Sequence, residues 1–226
     1  CDETLAGGDL PAERWQELQE LRQMYASFEA ETPAGNVSFR GEGQQPASPA
    51  GQRRVAEWAR LAYQEAEFGR SGASWGLALT WHREGGIAGF CDDLSIYVTG
   101  RAYASACGGQ QPVNLGSAWL DDGQLEQLYD WFDRYGAFEL GRKDPATADA
   151  MLVRLSFWGA GDDEPGPEVK EQMTAFAAEV HAGVPMPTAA QPAEVQAEPE
   201  YKDLQRAQQA LIDFFCLLYT SPSPRD

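Results

Sequence analysis

The sequence predicts an α+β fold: tandem modules of order β-β-β-α-β-α, each an antiparallel sheet with helices on one face, the first copy truncated. Three observations predict it. The stretch 77–107, LALTWHREGGIAGFCDDLSIYVTGRAYASAC, alternates apolar and polar residues at the strand period and is broken by glycine-bearing turns. Helical periodicity brackets that stretch on both sides. Segments of the N-terminal third also recur, in order, further along the chain.

The recurrence is specific. Ser38-Phe39-Arg40-Gly41-Glu42-Gly43 returns as Ser156-Phe157-Trp158-Gly159-Ala160-Gly161, an offset of 118 that also relates Val55 to Met173, Trp58 to Phe176 and Ala59 to Ala177. Upstream the offset is 110, relating Leu18 to Leu128, Tyr25 to Tyr135 and Phe28-Glu29 to Phe138-Glu139. The change of eight predicts a longer loop near Lys143-Asp144-Pro145 in the second copy.

In chain order, Leu10-Pro11 opens a helix expected to reach about Ala30, with Trp15, Leu18, Leu21, Tyr25 and Phe28 on its apolar face. A short strand follows over 36–40. Ser48 is an N-cap with Pro49 at the first helical position, and the helix runs to about Phe68 with Val55, Trp58, Ala59 and Ala62 inward. In the full copy three strands lead to Asp121, an N-cap whose Gln124 completes a capping box. That helix turns Leu125, Leu128, Trp131, Phe132 and Tyr135 to one side. A strand over 151–158 and a helix opened by Pro167, with Val169, Met173, Phe176 and Val180 inward, complete the copy.

The expected boundaries are 1–73 for the incomplete first copy (α-β-α) and 74–183 for the second. A Pro/Ala-rich linker follows over 184–199, then the start of a further helix over 200–215 and a non-native tail over 216–226. Cys1 has two readings: the second hairpin cysteine of a first copy cut short, or a lipid-anchored first residue.

Folding the chain at Thr99-Gly100 sets Cys91 and Cys107 across a hairpin, within a one-residue bulge of the register that faces Tyr97 to Tyr103. A disulfide there closes a loop of about 16 residues and contributes roughly 3 kcal/mol in the chain-entropy model. The other reading is a pair of free buried thiols. No further Cys or His has metal-ligand spacing, so neither a metal site nor a cofactor is expected.

Composition narrows the function classes. The chain has 226 residues with 35 acidic against 17 basic side chains, a net charge of −18, which argues against nucleic acid or anionic lipid as a partner. It contains no apolar run of 18 residues, so no transmembrane segment is expected, and a membrane tether is possible only upstream or at Cys1.

The motif HREGGIAGFCDDLSIYVTG, with DPATAD and VRLSFWG downstream, resembles an uncharacterised family of bacterial exported proteins, often lipoproteins, over about 75–181. The resemblance implies an extracytoplasmic location, secreted or lipid-anchored at the cell surface. Over 80–89, the strand and its R-E-G-G-I-A-G turn are similar to emfourins, small protein inhibitors of thermolysin-like metalloproteases. The final eleven residues, CLLYTSPSPRD, resemble translated sequencing-adaptor read-through.

Candidate chemistry is sparse. Asp92-Asp93 reads as a strand-initiating turn, or else as a cation ligand pair; Asp162-Asp163-Glu164 reads as a solvated acidic turn, or else as an oxygen-rich calcium loop. The histidines are His82 and His181, and no nucleophile-elbow pattern accompanies them, so no catalytic residue is assigned. Trp75, Trp119 and Trp158 flank loops and are candidates for a shared binding surface. The expected function is a non-catalytic, extracytoplasmic binding module in tandem repeat, with an unknown protein or small ligand as partner. The alternative is a protease inhibitor that presents the turn formed by Arg83, Glu84, Gly85, Gly86, Ile87 and Phe90.

Overall fold

The computed structural model describes residues 11–68, 76–85, 89–106, 113–143 and 151–185. The chain divides into two compact units between Trp75 and Gly76. The fold is α+β, with four helices and eight strands among the described residues. None of the described helices is long and apolar enough to cross a membrane.

The first unit contains α1 (Ala12–Met24), β1 (Phe28–Thr32), β2 (Gly35–Phe39) and α2 (Pro49–Phe68). The helix expected to reach Ala30 stops six residues earlier. Tyr25 turns extended at φ −115° and ψ 148°, and Phe28 opens a strand instead of closing an apolar helix face. The hairpin β1–β2 pairs Phe28 with Phe39 and Thr32 with Gly35, leaving Pro33-Ala34 as the turn. The strand foreseen over 36–40 therefore has a partner that its own pattern did not announce. FEAET carries two glutamates and reads as polar helix, but pairing with β2 buries the opposite side of the ribbon under α2. Ser48 caps α2 as expected, its Oγ accepting from the Gly51 N–H at 3.0 Å.

The second unit runs β3 (Leu77–Gly85), β4 (Phe90–Tyr97), β5 (Arg101–Ala106), β6 (Val113–Trp119), α3 (Asp122–Arg134), β7 (Phe138–Lys143), β8 (Leu152–Phe157) and α4 (Pro167–Gly183). The expected β-β-β-α-β-α becomes β-β-β-β-α-β-β-α. Val113–Trp119 and Phe138–Lys143 are the additions, each an edge strand whose weaker alternation hides it. The six strands form one sheet, ordered β6-β5-β4-β3-β8-β7, antiparallel throughout. Leu79, Trp81, Leu94, Ile96, Ala102, Ala104, Leu155 and Phe157 face the helices and are buried. Helix α4 lies over β3, β4 and β5, and α3 meets it through an edge-on Trp131–Phe176 contact at 5.2 Å. The Asp121 capping box forms as the sequence predicts. Val169 is half-buried rather than inward, because the helix turns Met173, Phe176, Ala177 and Val180 to the sheet. Val184, expected to start a linker, is buried at the end of α4.

The segments α1–β1–β2–α2 and α3–β7–β8–α4 share the hydrogen bonds that close their first helix. Tyr25 and Tyr135 each end a helix in extended backbone, with the N–H donating four residues back to Leu21 O or Trp131 O. The chain then returns from the hairpin and lays its Gly-x-Gly segment over that helix end. Glu42 and Gly43 donate to Arg22 O at 2.7 and 2.9 Å; Ala160 and Gly161 donate to Phe132 O at 2.7 and 3.3 Å. Gly43 and Gly161 donate again to Tyr25 O and Tyr135 O, at 3.0 and 3.2 Å. A helix end leaves its last carbonyls without intrahelical donors, and this clasp supplies them. Glycine is required there: a Cβ at 41 would stand 1.9 Å from Tyr25 O, and one at 159 would stand 2.1 Å from Tyr135 O. The Phe28–Phe39 and Phe138–Phe157 rings close the two hairpins alike, at 5.3 and 5.6 Å with interplanar angles of 37° and 38°. Four more strands precede the helix only in the second segment, among the described residues.

Candidate interaction surface

Both described helices of the second unit lie on one face of its sheet. Strand alternation sends every second side chain to the other face. In β5 and β6, alanines 102, 104 and 118 point to the helices, and Arg101, Tyr103, Ser117 and Trp119 point away. Arg101 is paired with Trp119 across the strands, and its guanidinium sits 4.9 Å from the Trp119 ring and 5.9 Å from the Tyr103 ring. The same group donates to Ser117 Oγ at 2.8 Å. Tyr97 meets Tyr103 edge-on at 5.7 Å, and Tyr103 is 39% exposed.

Tyr97 and Tyr103 are diagonal neighbours, not the facing pair the hairpin arithmetic proposed. The β4–β5 register keeps a constant sum of 198, from Asp92↔Ala106 to Ile96↔Ala102, with no bulge. That is also the sum of 91 and 107. Cys91 is disulfide-bonded. Cys107 lies outside the described residues, as do Cys1, Gly86, Ile87 and Trp75.

Beside the aromatic cluster, β3 and β4 carry charge. His82 Nδ1 lies 2.8 Å from Asp93 Oδ1, and its Nε2 lies 3.5 Å from Glu84 Oε2. A hydrolytic triad needs one ring nitrogen on a carboxylate and the other on a nucleophile. Here both nitrogens turn to carboxylates, which leaves neither for a nucleophile. On the helix-side face, Arg83 donates through Nε to Asp92 Oδ2 at 3.0 Å and stacks over Trp81 at 5.3 Å. Asp92 and Asp93 therefore do not form a turn. They sit within β4, and each engages the residue opposite it on β3.

The turn singled out from sequence is divided by this alternation. Arg83 is tied to Asp92 on one face, Glu84 stands on the other with its side chain 59% exposed, and Gly85 ends the strand at φ 106°. Of the tryptophans, Trp119 joins the Arg101 cluster, whereas Trp158 follows β8 and is 40% exposed. Strands β6 and β8 are four strand spacings apart, about 19 Å, so these two do not share a patch. In the acidic segment, Asp163 pairs with Arg134 and Glu164 with Lys170. Among the described residues no group of three or more His, Cys, Asp or Glu is placed to hold a metal ion.

Sequence reasoning singled out Trp119 but missed Arg101 and Tyr103 beside it. The signal was legible: small residues alternate with Arg, Tyr, Ser and Trp in RAYAS and GSAW, which places bulk on the side away from the helices. No family model, curated protein or solved structure matches this chain.

Proposed function

We propose that the chain is a non-catalytic, extracytoplasmic binding module built as a tandem repeat, and that it binds through the face of the six-stranded sheet opposite the described helices of its unit. The observation that carries this reading is Arg101 stacked against Trp119 and Tyr103 on that face. Arg, Trp and Tyr are the side chains that most often dominate binding energy, because they bring large, rigid contact area with a polar handle. The net charge of −18 disfavours nucleic acid as the partner. The disulfide at Cys91 supports an oxidising compartment, and the register sum of 198 favours Cys107 as its partner. The matched clasps and phenylalanine pairs support the repeat.

The test compares the chain with a Tyr97→Ser/Tyr103→Ser/Trp119→Ser variant on a glycan array and a peptide array. Retained folding with binding weakened at least ~10-fold supports the reading, since these side chains are surface-exposed or half-buried. Equal binding by both proteins, or binding by neither, overturns it. A second reading, inhibition of a secreted thermolysin-like metalloprotease through the turn at 83–90, rests on the exposed Glu84 and Gly89 at its mouth. Full inhibition at near-equimolar ratio supports that reading, and none at large excess removes it.

A further inference from the structure

The strand registers of the second unit set side chains in rows that cross the sheet. On the face away from its described helices, one row is nearly all hydroxyl. Ser117 lies opposite Tyr103, Tyr103 opposite Ser95, Ser95 opposite Thr80, Thr80 opposite Ser156, and Ser156 opposite Glu139. All six strands contribute, so the row covers five strand spacings, about 24 Å. Each of its residues is exposed or half-buried, whereas the alternate residues Leu79, Leu94, Ile96 and Leu155 are buried on the helix side. The adjoining row carries aromatic rings at both ends. At one end Trp119 lies opposite Arg101, beside the Tyr97–Tyr103 pair. At the other, Trp158 continues the alternation of β8 past the buried Phe157, its N–H donating to Ala78 O at 2.9 Å, and is 40% exposed. The charges on this face nearly cancel. Arg101 and Arg154 stand against Glu84, Asp93 and Glu139, and Asp93 is held by His82 at 2.8 Å. Most of the net charge of −18 therefore lies elsewhere on the chain.

We infer that this face binds a neutral, linear glycan, laid across the strands along the hydroxyl row, with sugar rings stacked on Trp119 at one end and Trp158 at the other. The inference rests on the sheet-face reading above and gives it a ligand class. A sugar ring presents polarised C–H groups on its flat sides and hydroxyls around its rim. The C–H groups match the electron-rich face of an indole or phenol ring. The rim hydroxyls match Ser and Thr, which donate and accept and so pair with another hydroxyl in either sense. The same composition disfavours a protein partner, because serine is depleted from protein interfaces. The geometry agrees with the chemistry. A sugar in an extended chain advances by roughly one strand spacing, so successive rings meet successive hydroxyls of the row. The separation of about 19 Å that keeps Trp119 and Trp158 out of one patch is then the reach of about four sugars. The near-balance of charge selects against polyanions and polycations alike, since either would set like charges together somewhere on the face.

The test titrates the full chain, by calorimetry, with disaccharides and hexasaccharides of β-1,4-linked glucose, xylose and mannose, and with hexagalacturonate as the anionic control. At least one neutral hexasaccharide is expected to bind ~10-fold or more tighter than its own disaccharide and than hexagalacturonate. Trp158→Ala, and separately Thr80→Val with Ser95→Ala, are expected to weaken that hexasaccharide at least ~10-fold with the circular dichroism of the fold retained. Trp158→Phe keeps a stacking ring and is expected to restore most of the binding, which separates loss of the contact from loss of the fold. Equal affinity for disaccharide and hexasaccharide, tighter binding of hexagalacturonate, or indifference to Trp158→Ala overturns the inference. Binding of none of these oligomers overturns it too. If peptides then bind the chain but not its Tyr97→Ser/Tyr103→Ser/Trp119→Ser variant, the sheet-face reading stands and only the glycan is lost.

Discussion

The two α–β–β–α segments reach the same backbone with different glue between their helices. In the first, α1 and α2 are joined by ions. Arg14 makes a forked contact with Glu65 at 3.0 and 2.9 Å and a third bond to Glu17 at 2.7 Å, and Glu17 also accepts from Trp58 Nε1 at 3.1 Å. In the second, the positions of Arg14 and Glu17 are Gln124 and Gln127, and α3 meets α4 through Trp131 and Phe176. The difference teaches which parts of the module are negotiable. Helix–helix contact can be ionic or aromatic, whereas the Gly-x-Gly clasp and the phenylalanine pair at the hairpin base stay the same. Burial alone would lower the Arg14 pKa, but hydrogen bonding to Glu65 and the charge of Glu17 outweigh it, and the net shift is upward. A base whose pKa rises on folding adds stability at every pH below its unfolded value, which for arginine covers the whole working range. The ionic tie is therefore insensitive to pH through the titration of Arg14.

The sharpest way to break this comparison is at the clasp. Gly41→Ala and Gly159→Ala each force a Cβ into a backbone carbonyl, so each is expected to cost its own unit about 4 kcal/mol or more. Unit-resolved hydrogen exchange reads the loss; a mild effect at either position would mean that the two clasps are not equivalent. Next comes the ionic tie. Arg14→Met leaves Glu17 and Glu65 without their shared cation, and because all three side chains keep a little exposure the expected cost is about 2–3 kcal/mol, confined to the first unit. Denaturant melts would show it. A neutral result would reduce the network to a surface decoration.

The helix starts give a smaller contrast. Asp121→Ala removes the capping box of α3 and is expected to cost about 1 kcal/mol, whereas α1 begins at Pro11 with no side-chain cap to lose. Thermal melts of Asp121→Ala beside Pro11→Ala would separate the two. The smallest effect carries no stability change at all: the Asn36 and Ser38 amides should exchange faster than those of Arg154 and Ser156, because among the described residues only the latter pair face a third strand. Equal rates would mean that something already covers the first edge.

Much of this was legible in the sequence because it rests on local chemistry. Ser48-Pro49 and Asp121 with Gln124 announced helix starts, and the repeat offsets aligned the clasp glycines without revealing their purpose. The strands Phe28–Thr32 and Phe138–Lys143 were not legible. FEAET and FELGRK have few apolar residues, and they become strands only because the neighbouring hairpin arm buries one side of them. The same cause ended α1 early: Tyr25 continues the apolar helical spacing, but the returning Gly-x-Gly segment takes the carbonyls that a further turn would need. The charge pairs of β3 and β4 depended on register. A sum shifted by one residue would have set Asp93 beside a different partner than His82.

The hairpin tip follows a different logic from its base. In the first segment the turn is Pro33-Ala34; in the second, eight residues separate Lys143 from Leu152. Because the aromatic pair and the clasp hold the arms at their root, tip length costs only the slow logarithmic growth of loop closure, about 0.6 kcal/mol per doubling. The module is thus a grip with an interchangeable fingertip. A reporter peptide, an epitope or a recognition loop spliced between Thr32 and Gly35 would be carried on a scaffold whose fastening lies at its opposite end.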